Sequence, residues 1–239
     1  MISNTKNPMC MHRIQKDDKD DSSSLVNFDQ VQSLLKSFSL QVDLAFAEIN
    51  HGILDYITHV FPNTDSIEDF HKIWSWKKLD WLQGANEMPK ELLEPVPQDY
   101  QDKICSMDWT KADTLLTKLL IMEDKYHRLD MGLDKIIEHY KNNPTVRNQS
   151  NVITFITRLK DKTSKIKWSL SSLLESLNYD KATLEASNSN PMPKDYVNKE
   201  TPDLEHWVIL REIMNYLELC QVELKIILES IQRSEKISP

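Results

Sequence analysis

Glycine is almost absent from this chain of 239 residues, which carries only Gly52, Gly84 and Gly132. Ordinary usage of roughly 7% would give about five times as many. Three scattered glycines build neither a GxGxxG turn nor a phosphate-cradling loop, and they do not furnish the tight hairpins of a β-sandwich. Glycine-read nucleotide folds are thereby excluded, and an all-β architecture is disfavoured. Cysteine is scarce too: Cys10, Cys105 and Cys220 are odd in number, with no CxxC spacing. That pattern supports neither a disulfide framework nor a zinc ribbon, and predicts reduced thiols in a cytoplasmic protein. No run of 18 uncharged apolar residues occurs, so no membrane span is expected. The first 25 residues pass through MHRIQKDDKDDSSS without an apolar core, so no signal peptide is expected there. Basic charge is in the minority: 29 Lys and Arg stand against 37 Asp and Glu, a net charge of −8 that argues against broad nucleic-acid binding.

What the chain does have is apolar residues at helical spacing. Hydrophobic residues make up 40% of it, enough for a core. All ten prolines fall between periodic segments or near the ends, as expected if helices fill the gaps. Steps of three and four from Val31 through Phe38, Val42, Ile49 and Ile53 to Val60 predict a first helix over about Val26 to Phe61. Ser66, followed by Glu68 and Asp69, reads as the N-cap of a second helix reaching to about Met88. Phe70, Ile73, Trp74, Trp81, Ala85 and Met88 would be its buried side. A link with three prolines, from Pro89 to about Met107, reads as one long crossover. Helices three and four are expected from about Asp108 to Tyr140 and from about Thr145 to Leu177, and Asp180 to Thr201 reads as a linker. Thr201 and Pro202, an N-cap with proline at the first helical position, open a last helix from about Asp203 to Gln232.

The chain is thus divided into a disordered tail (1–25), a four-helix bundle (26–180), a linker (181–202) and a C-terminal helix (203–233). The fold class is all-α. Helices one and two are expected to be antiparallel, as are three and four, with one crossover joining the pairs.

Certain residues narrow this further. Gln98-Asp99, Lys103, Cys105 and Asp108-Trp109, followed by a leucine-rich helix with Glu123 fourteen residues after the tryptophan, resemble the crossover and third helix of eukaryotic ferritins. KNNPTVRN resembles the ferritin turn before the fourth helix. The similarity covers about residues 30 to 178. It implies a ferritin-like bundle with the C-terminal helix as a fifth, iron as the cofactor, and other ferritin subunits or copies of itself as partners. Carried over residue by residue, the resemblance puts metal ligands at Glu48, Asp80 and Glu123. At the positions of the remaining ligands stand Trp81, Gly84 and Lys162, which do not bind iron. The implied function is that of a divergent, light-chain-like subunit serving iron storage and intracellular iron homeostasis without its own ferroxidase activity. Glu123 is expected to be buried and paired with Lys162. The competing class is a non-catalytic helical interaction protein, an adaptor or scaffold.

Other chemistry is weaker. Glu48–His51 and Glu68–His71 both have Glu-x-x-His spacing, but hairpin geometry separates them by about 10 Å along the axis. Arg158, Lys160, Lys162, Lys165 and Lys167, beside Trp168, read as a solvated helix face whose charges meet acidic neighbours.

Overall fold

A computed structural model describes residues 28–61, 64, 66–83, 95–143, 149–179 and 202–237, and every regular element among them is helical. The elements are α1 (Phe28–Val60), α2 (Ile67–Trp74), α3 (Asp80–Gln83), α4 (Gln98–Cys105), α5 (Ala112–Asn142), α6 (Gln149–Ser176) and α7 (Pro202–Ile237). The all-α class is therefore observed, and four of these helices are long. Among the described residues none is long and apolar enough to cross a membrane.

The stripe of α1 does what its spacing predicts. Val31, Leu35, Phe38, Val42, Ala45, Ile49, Ile53 and Ile57 are all buried, each large one worth about 1.5–3 kcal/mol of transfer free energy. Gly52 lets α6 come close: a Cβ there would stand 2.2 Å from the Phe155 ring. Gly132 plays the same part between α5 and α7, where a Cβ would meet Ile209 at 2.8 Å. Two of the three glycines thus mark helix crossings.

Side-chain pairs fix the direction of each helix. Gly52 meets Phe155 and Glu48 meets Arg158, so α1 and α6 are antiparallel. Asp130 meets Thr163 while Asp134 meets Lys160, so α5 and α6 are antiparallel. Tyr140 meets Asp203, Tyr126 meets Tyr216 and Lys118 meets Glu223, so α5 and α7 are antiparallel. Phe38 packs on Tyr126, and Tyr56 faces Tyr140, so α1 and α5 run parallel. The main contacts join α1 to α6 and α7, and α5 to α6 and α7. The order is up-up-down-down, with long connections before α5 and before α7 and a short one between α5 and α6.

This corrects the expected layout in three places. First, α7 is not an appended fifth helix but the most buried member of the bundle. From Leu204 to Cys220 every residue except Glu212 and Glu218 is buried. Second, the expected second helix ends after eight residues, at Trp74. Its N-cap is as read: the Ser66 hydroxyl accepts from the Asp69 amide at 3.2 Å. Its continuation fails because the buried Arg211 guanidinium takes the carbonyls of Trp74 (3.2 Å) and Lys77 (2.7 Å). A cation at a helix C-terminus satisfies acceptors that would otherwise lack partners. Of the side expected to be buried, Phe70 is buried against Trp207, whereas Ile73 lies open. Third, the crossover contains a helix, α4, starting directly after Pro97. The Trp109 indole N–H donates to the Ile104 carbonyl at 2.9 Å and closes its end.

The first connection is bound to the outer side of α5 and α7. Arg128 donates to the Trp81 carbonyl at 3.0 Å, and the buried Lys125 ammonium donates to the Leu82 carbonyl. Burial pushes the Lys125 pKa down.

Candidate functional site

The residues named from the ferritin resemblance do not converge. Glu48 lies on α1 and pairs with Arg158 of α6, Nε to Oε1 at 3.0 Å, with angles poor for a hydrogen bond. Arg158 is half a turn from Lys160, whose ammonium reaches Asp134 and Asp130 of α5. Glu48 therefore sits level with residues in the low 130s of α5. Glu123 is about two turns or more away, over roughly 11 Å along the axis. One ion cannot bridge that distance.

Glu123 is buried on α5, as its place beside the apolar stripe required. Lys162 is not its partner. It follows Arg158 by four residues and so lies on the same side of α6, toward α1. The α6 ammonium groups that meet α5 are those of Lys160 and Lys167, and both go to Asp130. Asp80 opens α3 and Trp81 follows it, over Gly132 of α5. Gly84 lies outside the described residues. No group of three or more His, Cys, Asp or Glu among the described residues is placed to hold a metal ion.

The basic run on α6 behaves as a structural face. Arg158, Lys160 and Lys167 are consumed by Glu48, Asp134 and Asp130. The stretch is therefore an ion-pair network between helices, and the acids it meets are on α1 and α5.

The cysteines depart from the expectation of reduced thiols. Cys105, at the end of α4, is disulfide-bonded. Cys220 is a free thiol deep in α7. Burial, followed by the nearby Glu223 carboxylate, pushes the Cys220 thiol up to about 12, so it is not a nucleophile near neutral pH.

Two polar clusters inside the bundle escaped the sequence reading. At one end Glu223, 1% exposed, accepts from the Lys118 ammonium and the Tyr100 hydroxyl, which ties α4, α5 and α7 together. At the other end the Tyr140 hydroxyl donates to Asp203 at 3.0 Å beside the rings of His139 and His206. Burial holds the Tyr56, Tyr126 and Tyr216 hydroxyls well above the usual phenol range, so they remain neutral donors. A shallow groove of about 350 Å³ between α1 and α7 is lined by Ser39, Asp43, Gln221, Lys225 and Glu229 among others.

The outer surface carries what the interior lacks. Trp168 on α6 is 72% exposed and Leu40 on α1 is 55% exposed, with Leu44 also open. The antiparallel register that pairs 52 with 155 and 48 with 158 puts Trp168 level with about residue 38. Leu40, Leu44 and Trp168 therefore lie exposed at similar levels of α1 and α6. Sequence periodicity could have found them, since all three fall off the apolar stripe of their own helices.

Compared with known proteins, the chain matches no family, no curated protein and no solved structure.

Proposed function

We propose that this protein is a non-catalytic helical ligand, which acts by presenting the α1/α6 face to another protein in an oxidising compartment. The observation that carries the reading is the helix order. Up-up-down-down bundles with two long crossovers are the arrangement of growth-hormone-type and cytokine bundles. This is an analogy of fold, and fold alone does not assign function. Two features of the chain support it independently. Large apolar side chains left exposed at one level of a helical pair supply the kind of side chain that the core of an association surface uses. A disulfide at Cys105 fits a protein that matures outside the reducing cytosol.

Iron storage with other ferritin subunits is the reading with less support. Glu48 and Glu123 lie at different levels of the bundle, and Glu48 already has a cation for a partner.

The test is saturable binding of the fluorescently labelled chain to cells of the organism that encodes it. Leu44→Glu with Trp168→Glu should abolish binding while leaving the far-ultraviolet dichroism and melting temperature unchanged. Binding unaffected by the pair, or stoichiometric retention of iron by the purified chain, would overturn the reading.

A further inference from the structure

His206 lies in the opening turns of α7 and is 1% exposed. Neither ring nitrogen has a hydrogen-bond partner. Its ring stacks edge-on against His139, in the last turns of α5, with centroids 4.8 Å apart, and lies 5.4 Å from the Tyr140 ring. A neutral imidazole tolerates this site, though it forgoes its hydrogen bonds. A charged one requires a counter-ion or water.

The nearest counter-ion, Asp203, stands at ion-pair distance but makes no hydrogen bond to the ring in the closed arrangement. Asp203 Oδ1 stands 3.8 Å from His206 Nδ1, beyond hydrogen-bond reach, and that same oxygen accepts the Tyr140 hydroxyl. Among the described residues, the other titratable groups at this end include Tyr56 from α1, His71 from α2, Tyr140 and His139 from α5, and Glu205 on α7 itself. Tyrosine hydroxyls carry no negative charge near neutral pH. A second positive charge on His139 would repel the first at close range. From the first connection, α2 brings Phe70, whose ring packs 5.1 Å from the Trp207 ring next along α7. The opening turns of α7, the last turns of α5 and α2 thus meet around one imidazole.

We propose that this end of the bundle is an acid-sensitive latch: below about pH 6, protonation of His206 in the open form shifts the equilibrium toward detachment of the opening turns of α7 from α5, and of α2 with them. The direction follows from linkage. Burial, with His139 second, pushes the His206 pKa down to about 3 in the closed form. In an opened form the ring regains an ordinary value near 6.5. The open form then binds more protons throughout the interval between these values, so the closed form loses stability as pH falls through it. Above about pH 6.5 both forms are neutral and the latch holds. Between pH 7.4 and 5.5 the opening equilibrium rises about tenfold, and by pH 5.0 about thirtyfold.

Hydrogen exchange on the full chain, corrected for the chemical effect of pH, tests this. From pH 7.4 to 5.5, protection over 203–210 and 67–74 should fall about tenfold, while 119–129 in mid-bundle stays as it was. His206→Leu should remove the pH dependence. Should that variant not fold, the nuclear magnetic resonance titration of the native His206 ring supplies the second readout: no protonation while the end remains closed. A uniform loss across the bundle, the same loss in His206→Leu, or a His206 ring that titrates near 6.5 with protection intact would each overturn the proposal.

Discussion

Replacing Lys118 with methionine tests whether the Glu223 cluster holds three helices together. Methionine keeps the length of the lysine stem and removes its charge. The Lys118 side chain is 12% exposed and that of Glu223 1%, so the pair is well shielded from water. Breaking a buried pair from one side costs about 3–5 kcal/mol, because the surviving charge is left without its partner. Tyr100 continues to donate to Glu223 and recovers part of this, which places the expected loss near 3 kcal/mol. With a urea slope of about 3 kcal/mol/M, the midpoint should move down by about 1 M. Removing both charges is a different perturbation. Lys118→Met with Glu223→Met leaves no stranded carboxylate, and apolar replacement of a whole buried pair is close to neutral. The double variant should therefore be more stable than Lys118→Met alone, with a coupling of about 2 kcal/mol in the cycle. Urea unfolding at pH 7, followed by dichroism at 222 nm, provides all four stabilities. A single variant within about 1 kcal/mol of the parent, or a double variant as unstable as the sum of the singles, would refute the reasoning.

Gly52→Ala should destabilise by about 1–2 kcal/mol in thermal unfolding, because overpacking against Phe155 outweighs the roughly 1 kcal/mol that alanine adds to helix propensity. A neutral or stabilised variant would mean that α1 and α6 are further apart than described. Arg211→Met should strand the Lys77 carbonyl and leave that of Trp74 only the Lys77 amide, cost about 2 kcal/mol and raise proteolysis near residues 67–83 first; uniform digestion would count against this pinning. Peptide mapping without reduction should find Cys105 in a disulfide, with Cys220 alkylated only after unfolding. Alkylation of Cys105 in the native, unreduced chain would remove the argument for an oxidising compartment.

The long helices were legible because their apolar residues repeat every three or four positions and prolines bound them. The N-cap at Ser66, the helix start at Pro202 and the burial of Glu123 were legible for the same local reasons. The role of α7 was misread as an appendage. Beside Trp207, Leu210 and Leu217, the residues Val208, Ile209, Ile213, Tyr216 and Leu219 cover the remaining sides; a helix apolar all round belongs inside. The premature end of α2 could not be read locally, since its cause, Arg211, lies 134 residues or more away in the chain. Helix direction was illegible for a related reason. A long connection can return the chain to either end of the bundle, and nothing in its own residues states which. The motif from Gln98 to Trp109 carried the ferritin resemblance, yet in the fold those residues form α4 and its cap, which Tyr100 joins to α7. The metal positions were assigned through that resemblance, so they inherited a helix register that the chain does not adopt.

The central claim is the helix order, since both the buried place of α7 and the functional reading depend on it. In that order α1 and α5 run parallel, whereas a one-crossover bundle of the expected kind sets them antiparallel. Spin labels at Ser37 and Thr117, exposed sites near the beginnings of α1 and α5, separate the two by pulsed electron resonance. The account predicts a single distance near 20–25 Å, about two helix diameters. A distance of roughly 40 Å, close to the length of the bundle at about 1.5 Å per residue, would contradict it.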